Sequence, residues 1–175
     1  MPRAEARGFF CRIMLKSLVN RISQKIAYIA PGGYTLRVWL QRIRGVRIGK
    51  NVWISQFVHI DELHPEAVEI GDNCTIGFRT SIFSHLYWGP RRNSEFGKVV
   101  IEKDVYIGPH SLILPNTRIG EGSVIKGGTV VDCNVPPYTF WGLPGAAALA
   151  KVTVPLTPKS SYEEFIYGLR PLREK

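Results

Sequence analysis

Between residues 46 and 134 the apolar positions of this chain recur every six residues. Ile48, Ile54 and Ile60 form one block; Ile70, Ile76 and Ile82 form a second; Ile101, Ile107, Ile113, Ile119, Ile125 and Val131 form a third. A second regular position lies two residues before each anchor: Val46, Val52, Val58, then Val68, Cys74, Thr80, then Val99, Val105, Ser111, Thr117, Ser123, Thr129. Gly follows the anchor at Gly49, Gly71, Gly77, Gly108 and Gly120. A period of six is neither helical nor a simple strand alternation. It marks a repeat architecture of short strands joined by tight corners, with the anchor pointing inward. Three hexads close one triangular coil of eighteen residues, so the twelve hexads predict four coils. Coils stacked about 4.8 Å apart give an all-β prism about 20 Å tall. No coil buries its anchors alone; its neighbours cover them.

The pattern changes at both ends. Cys11, Leu15, Leu18, Ile22, Ile26 and Ile29 share one face of a helix over 9–29, flanked by Arg12 and Lys16 on one side and by Arg21 and Lys25 on the other. Pro31-Gly32-Gly33 ends it, and a second short helix is predicted from Thr35 to Arg44. The apolar face has two readings: it packs on the first coil as the cap a repeat protein needs, or it lies on a membrane surface. Residues 62–67 break the register, and residues 86–98 carry no repeat, which predicts a loop ejected from a corner. Pro136-Pro137 is expected to stop the strand stacking, with 138–158 irregular. Ser160 to Leu169 reads as a short helix, Ser160 or Ser161 acting as N-cap before Glu163 and Glu164. The expected organisation is a basic helical segment over 1–45, the repeat with its loop over 46–137, and a tail and helix over 138–175.

Charge sharpens the first segment. The net charge is +9, but residues 1–50 hold eleven Lys and Arg against Glu5 alone, for +10, leaving −1 for residues 51–175. The basicity therefore belongs to the N-terminal segment. No nucleic-acid motif accompanies it, so anionic lipid is the expected partner and nucleic acid is not. No apolar run approaches the ~20 residues of a membrane span, and no secretory signal is evident. Cys11, Cys74 and Cys133 are odd in number and widely spaced, which suits reduced thiols. The expected location is the cytoplasm, with the protein peripheral on the inner face of the membrane.

Over residues 46–145 the chain resembles the hexapeptide-repeat acyltransferases. The run Val99-Val100-Ile101-Glu102-Lys103-Asp104-Val105-Tyr106-Ile107-Gly108, then Pro115-Asn116-Thr117-Arg118-Ile119-Gly120 and Val135-Pro136-Pro137, is similar to the sugar O-acetyltransferase branch, which includes galactoside, maltose and polysaccharide acetyltransferases. The resemblance implies a left-handed parallel β-helix, acetyl-CoA as acyl donor, and a homotrimer with active sites between subunits. It also implies that His85, in Ile82-Phe83-Ser84-His85 where the loop departs, is the general base. Asp61, in an Ile-Asp followed by Pro65-Glu66, would orient that ring or bind a sugar hydroxyl. The pantetheine arm would run beside Gly108, Gly127 and Gly128, with Lys126 or Lys151 meeting phosphates. Tyr87, Trp88 and Phe96 with Arg91 and Arg92 suit stacking on a sugar or covering the thioester. Pro109 stands where the family often has a residue whose N–H holds the oxyanion, and proline has none.

An alcohol is a poor nucleophile at neutral pH, and a histidine can take its proton as it attacks a thioester, which contributes about 10²–10⁴-fold. The reading is an O-acetyltransferase acting on a sugar hydroxyl of a surface polysaccharide or lipid-linked glycan precursor. An amino-sugar N-acetyltransferase is its nearest variant. His59 and His64 leave open a γ-carbonic-anhydrase-like zinc enzyme, since such sites use three histidines, although no metal is expected. A non-catalytic trimeric scaffold is the third alternative.

Overall fold

The computed structural model describes residues 3–85, 97–143, 150–153 and 162–171. The repeat forms four complete coils of three short strands. The first coil holds β1 (Arg47–Ile48), β2 (Trp53–Ile54) and β3 (His59–Ile60); the second holds β4 (Val68–Ile70), β5 (Thr75–Ile76) and β6 (Ser81–Ile82). The third holds β7 (Val99–Ile101), β8 (Tyr106–Ile107) and β9 (Leu112–Ile113); the fourth holds β10 (Thr117–Ile119), β11 (Val124–Ile125) and β12 (Val130–Val131). Strands stack in parallel into three sheets, β1-β4-β7-β10, β2-β5-β8-β11 and β3-β6-β9-β12. The register places Ile48, Ile70, Ile101 and Ile119 in one column. All the anchors except Ile48, which is half-buried, and all twelve companion positions are buried in the prism.

The corners explain the small residues. The third residue after an anchor takes a left-handed backbone at Asn51, Phe57, Asn73, Arg79, Asp104, His110, Asn116, Gly122 and Gly128. Leu63, His85 and Asn134 hold the same position and do not. All three follow strands of the third sheet, β3, β6 and β12, so one edge of the prism is irregular. The residue directly after the anchor faces the next coil. A Cβ on Gly77 would lie 2.5 Å from the carbonyl oxygen of Ile107, and one on Gly108 would lie 2.4 Å from the nitrogen of Gly127.

Stacking does not stop at Pro136-Pro137. Val135 bridges Ile119, and a further strand, β13 (Phe140–Trp141), pairs with β11 to begin a fifth coil. The two prolines occupy a corner, where no ladder N–H is required. Residues 143–175 form a separate unit. Within it β14 (Ala150–Val152) pairs antiparallel with β15 (Leu169–Pro171). A short helix, α3 (Tyr162–Tyr167), precedes β15, as expected, but the antiparallel strand pair was not anticipated; Ser160 and Ser161 lie outside the described residues.

The N-terminal helices α1 (Arg3–Ile29) and α2 (Leu36–Ile43) sit on the open end of the first coil. The expectation that the apolar face of α1 makes this contact is corrected. Asn20, Ser23, Gln24, Ala27 and Ala30 are buried, whereas Leu15, Leu18, Ile22, Ile26 and Ile29 are exposed. The first coil presents edge strands whose backbone groups need hydrogen-bond partners. Gln24 Nε2 donates to the Val58 carbonyl at 2.8 Å, and Arg37 Nε donates to that of Ile54 at 2.7 Å. Polar faces of both helices supply these donors, Gln24 from α1 and Arg37 from α2; an aliphatic face cannot.

Candidate active site

The irregular edge of the prism carries the predicted dyad. Asp61 directly follows β3, and its side chain is completely buried. One carboxylate oxygen, Oδ1, accepts the backbone N–H groups of Leu63 at 2.8 Å and His64 at 3.1 Å. The other, Oδ2, accepts the backbone N–H of Ser84 at 2.8 Å and lies 2.5 Å from Nδ1 of His85. Burial would raise the Asp61 pKa, but the hydrogen bonds from His64, Ser84, His85 and Leu63 outweigh it and hold the carboxyl at about 2. An ionised carboxylate only accepts hydrogen bonds, so Nδ1 of a neutral His85 carries the proton and Nε2 carries the lone pair. The register break over 62–67 makes this possible: the chain turns back over Asp61 and delivers two N–H groups to it. The two residues of the dyad thus come from adjacent coils.

Three further residues hold the pair, and the repeat pattern did not single them out. Ser84 is buried and its hydroxyl donates to the His64 carbonyl at 3.0 Å, tying the exits of the two coils together. The His64 ring stands edge-on to that of His85, 6.5 Å between centroids. Arg44, at the end of α2, is 1% exposed. Its Nη2 donates to the carbonyls of Ile60 at 2.8 Å and Asp61 at 2.6 Å, while Nη1 donates to Gln24 and Gln41. Burial pulls the Arg44 pKa down to about 10, which leaves it cationic at neutral pH. A buried cation behind the backbone of Asp61 could have been suspected from sequence only by knowing that α2 ends over that corner.

The other expected residues are placed less closely. Gly108, Lys126 and Gly127 meet at the corner between the second and third sheets, where the Gly108 backbone packs on Gly127. Gly108 and His85 therefore flank the third sheet on its two opposite edges. The smallness of Gly108 is accounted for by this coil-to-coil contact. Lys151 lies on β14 in the separate unit. Tyr87, Trp88 and Arg91 lie outside the described residues. Nδ1 of His59 is 2.8 Å from the Tyr28 hydroxyl, and burial pushes the His59 pKa down. His110 occupies an exposed left-handed corner against Phe78. Among the described residues no group of three or more His, Cys, Asp and Glu is arranged to hold a metal ion.

Comparison with known proteins agrees with the fold. A family profile described as Bacterial transferase hexapeptide (six repeats) matches residues 98–133, and one described as Hexapeptide repeat of succinyl-transferase matches residues 67–83. The Bacillus subtilis (strain 168) protein named "Putative acetyltransferase YvoF" is 31% identical over 133 residues, covering 76% of this chain and 74% of that protein. Galactoside O-acetyltransferase of Escherichia coli (strain K12) is 31% identical over 97 residues, covering 53% of this chain and 47% of that protein. The hexapeptide-repeat-containing acetyltransferase VCA0836 of Vibrio cholerae superposes with a TM-score of 0.56 at 26% identity, covering 71% of this chain and 82% of that one. The same Vibrio protein solved with acetyl coenzyme A superposes with a TM-score of 0.56 at 24% identity, over 72% of this chain and 81% of that one. The chain belongs to the hexapeptide-repeat acetyltransferases, enzymes built on a left-handed parallel β-helix.

Proposed function

We propose that the protein transfers acetyl from acetyl-CoA to a hydroxyl of a carbohydrate, with His85 as general base and Asp61 as the residue that positions it. The observation that carries this reading is the 2.5 Å contact of His85 Nδ1 with a buried carboxylate held by three backbone N–H groups. That carboxylate keeps the ring in one tautomer, with the lone pair on Nε2. In this reading Nε2 takes the acceptor's proton as its oxygen bonds to the thioester carbon. The C–S bond then breaks, and the imidazolium returns the proton to the departing thiolate. The acyl donor is drawn from the Vibrio protein, which binds acetyl-CoA on the same fold. The sugar acceptor is drawn from the galactoside enzyme.

The assembly proposed with it is a cyclic homotrimer with the sites between subunits. The outer surfaces of the sheets differ in a way that supports this. The first sheet displays charged pairs such as Lys98 with Glu69 at 2.9 Å, together with Arg118 and Glu102. The second displays an exposed apolar ladder of Tyr106, Val124 and Phe140. In the proposed assembly the irregular edge of one subunit faces the Gly108–Gly127 corner of its neighbour, where the donor's arm is expected. The test is release of CoA thiol with a panel of sugars and glycans, wild type against His85→Ala. Loss of about 10²-fold or more with unchanged circular dichroism is expected. Near-normal turnover removes His85 from the mechanism.

A further inference from the structure

The cap of the prism is made by the polar face of α1, and among the described residues this leaves an exposed apolar stripe. Leu15 is 60% exposed and Ile29 is 69% exposed, with Leu18, Ile22 and Ile26 exposed between them. α2 repeats the arrangement. It turns Arg37, Val38, Leu40 and Gln41 inward and leaves Trp39 and Ile43 exposed. Both helices send donors to carbonyls of the same first coil, through Gln24, Arg37 and Arg44, so their opposite faces point away from the prism in a common direction. The exposed side chains Arg21 and Lys25 border the stripe on α1, and neither helix has an acidic residue after Glu5.

We propose that the outward faces of α1 and α2 form one docking surface for an anionic lipid leaflet, on which the protein lies by its helical cap. Aliphatic side chains along one helix, a tryptophan beside them and cations at the margin are the composition that enters the headgroup boundary of a bilayer. No described helix is long and apolar enough to cross a membrane, so the contact is interfacial. The charge selects lipid over a second copy. Two copies meeting through the same patch would oppose Arg21 and Lys25 to one another with no carboxylate between them, whereas an anionic leaflet neutralises them. The surface lies one helix layer, about 10 Å, above the backbone of Asp61, because the helices that carry it also supply Arg44 and Gln24. The proposal is independent of the acetyl-transfer reading, since its readout needs no catalysis.

Full-length protein is sedimented with vesicles of phosphatidylcholine alone or mixed with phosphatidylglycerol, at low and high salt. Binding to the anionic vesicles, weakened by salt, is expected. Arg21→Gln with Lys25→Gln should weaken it roughly fivefold per cation lost. Ile22→Gln with Ile26→Gln should abolish it, with circular dichroism and melting unchanged because both side chains already face solvent. Absence of wild-type binding at low salt overturns the proposal, as does unchanged binding of the Ile22/Ile26 variant. A wild type that ignores vesicles while that variant loses oligomeric mass in light scattering shows that the face joins copies of the chain, and likewise overturns it.

Discussion

Replacing Asp61 by Asn is the sharpest probe of the dyad, because it keeps the size of the side chain and changes one acceptor into a donor. The carboxylate accepts two hydrogen bonds on each oxygen, from Leu63 and His64 on one side and from Ser84 and His85 on the other. An amide oxygen can serve only one of these pairs. If it keeps Leu63 and His64, the NH2 group faces Ser84 and His85. One backbone N–H is then left unsatisfied, at a cost of about 1–3 kcal/mol, and His85 must accept at Nδ1 with its proton moved to Nε2. That tautomer cannot act as the base. Restoring the productive tautomer requires turning the amide round, which strands two backbone N–H groups instead of one. The further cost of about 1–3 kcal/mol reduces the productive population by about 5- to 150-fold. The expected outcome is a kcat lower by about 10- to 100-fold with KM nearly unchanged, less than the loss on removing the base itself. The assay is CoA thiol release at saturating donor, with thermal melting to establish that the variant is folded at the assay temperature. Because Asp61 acts through His85, the double variant with His85→Ala should be no slower than His85→Ala alone. A kcat within about twofold of wild type, or a double variant in which both losses multiply in full, refutes the reasoning.

The folded state holds the Asp61 carboxyl at about 2, below its ordinary 3.8, so the stabilisation is complete above about pH 4 and is lost as pH falls toward 2. It amounts to on the order of 2 kcal/mol and should be missing from the acid-unfolding curve of Asp61→Asn. Gly108→Ala would set a Cβ 2.4 Å from a backbone nitrogen of the next coil and should cost about 1–3 kcal/mol in denaturant unfolding. Gly128→Ala meets nothing within 4 Å, but its φ of +75° makes a cost of about 1 kcal/mol the expected result in the same experiment. Arg44→Met strands the carbonyls of Ile60 and Asp61, and a lowered melting temperature is expected together with reduced turnover, as the backbone beneath the dyad loosens.

The coils were legible because one physical constraint repeats. Each turn of the prism must bury an anchor and pass a narrow corner, so Ile107 with Gly108 shows the same pattern as Ile76 with Gly77. Even the departures from register were informative: residues 62–67 and the exit at His85 mark the edge where the dyad sits. The partners of that dyad were less visible. The N–H groups that hold Asp61 belong to Leu63, His64 and Ser84, and a backbone group has no sequence signature. Arg44 read as one more cation in a basic segment, and only its burial distinguishes it from Arg42. β13 was hidden because prolines at 136 and 137 suggest a stop, and only the corner geometry shows that they interrupt no ladder.

The orientation of α1 follows from what the first coil needs. Inside the prism ladder carbonyls meet N–H groups from the neighbouring coil, as when Asp61 N–H meets the Ile82 carbonyl at 2.9 Å. At the open end no neighbour exists, and the carbonyls of Ile54, Val58, Ile60 and Asp61 instead receive Arg37, Gln24 and Arg44. Leaving each buried acceptor unpaired would cost about 1–3 kcal/mol. Burying an aliphatic face there would gain about 25 cal/mol for each Å² covered while forfeiting those hydrogen bonds. Of these donors Gln24 belongs to α1, which turns that polar side to the coil, while Arg37 and Arg44 come from α2 and its end; amphipathic periodicity alone points to the wrong side of α1 because it assumes an apolar floor. The aliphatic stripe is what remains once the edge carbonyls are satisfied. In the proposal above, that stripe, with the exposed Arg21 and Lys25 beside it, is the surface an anionic leaflet would cover.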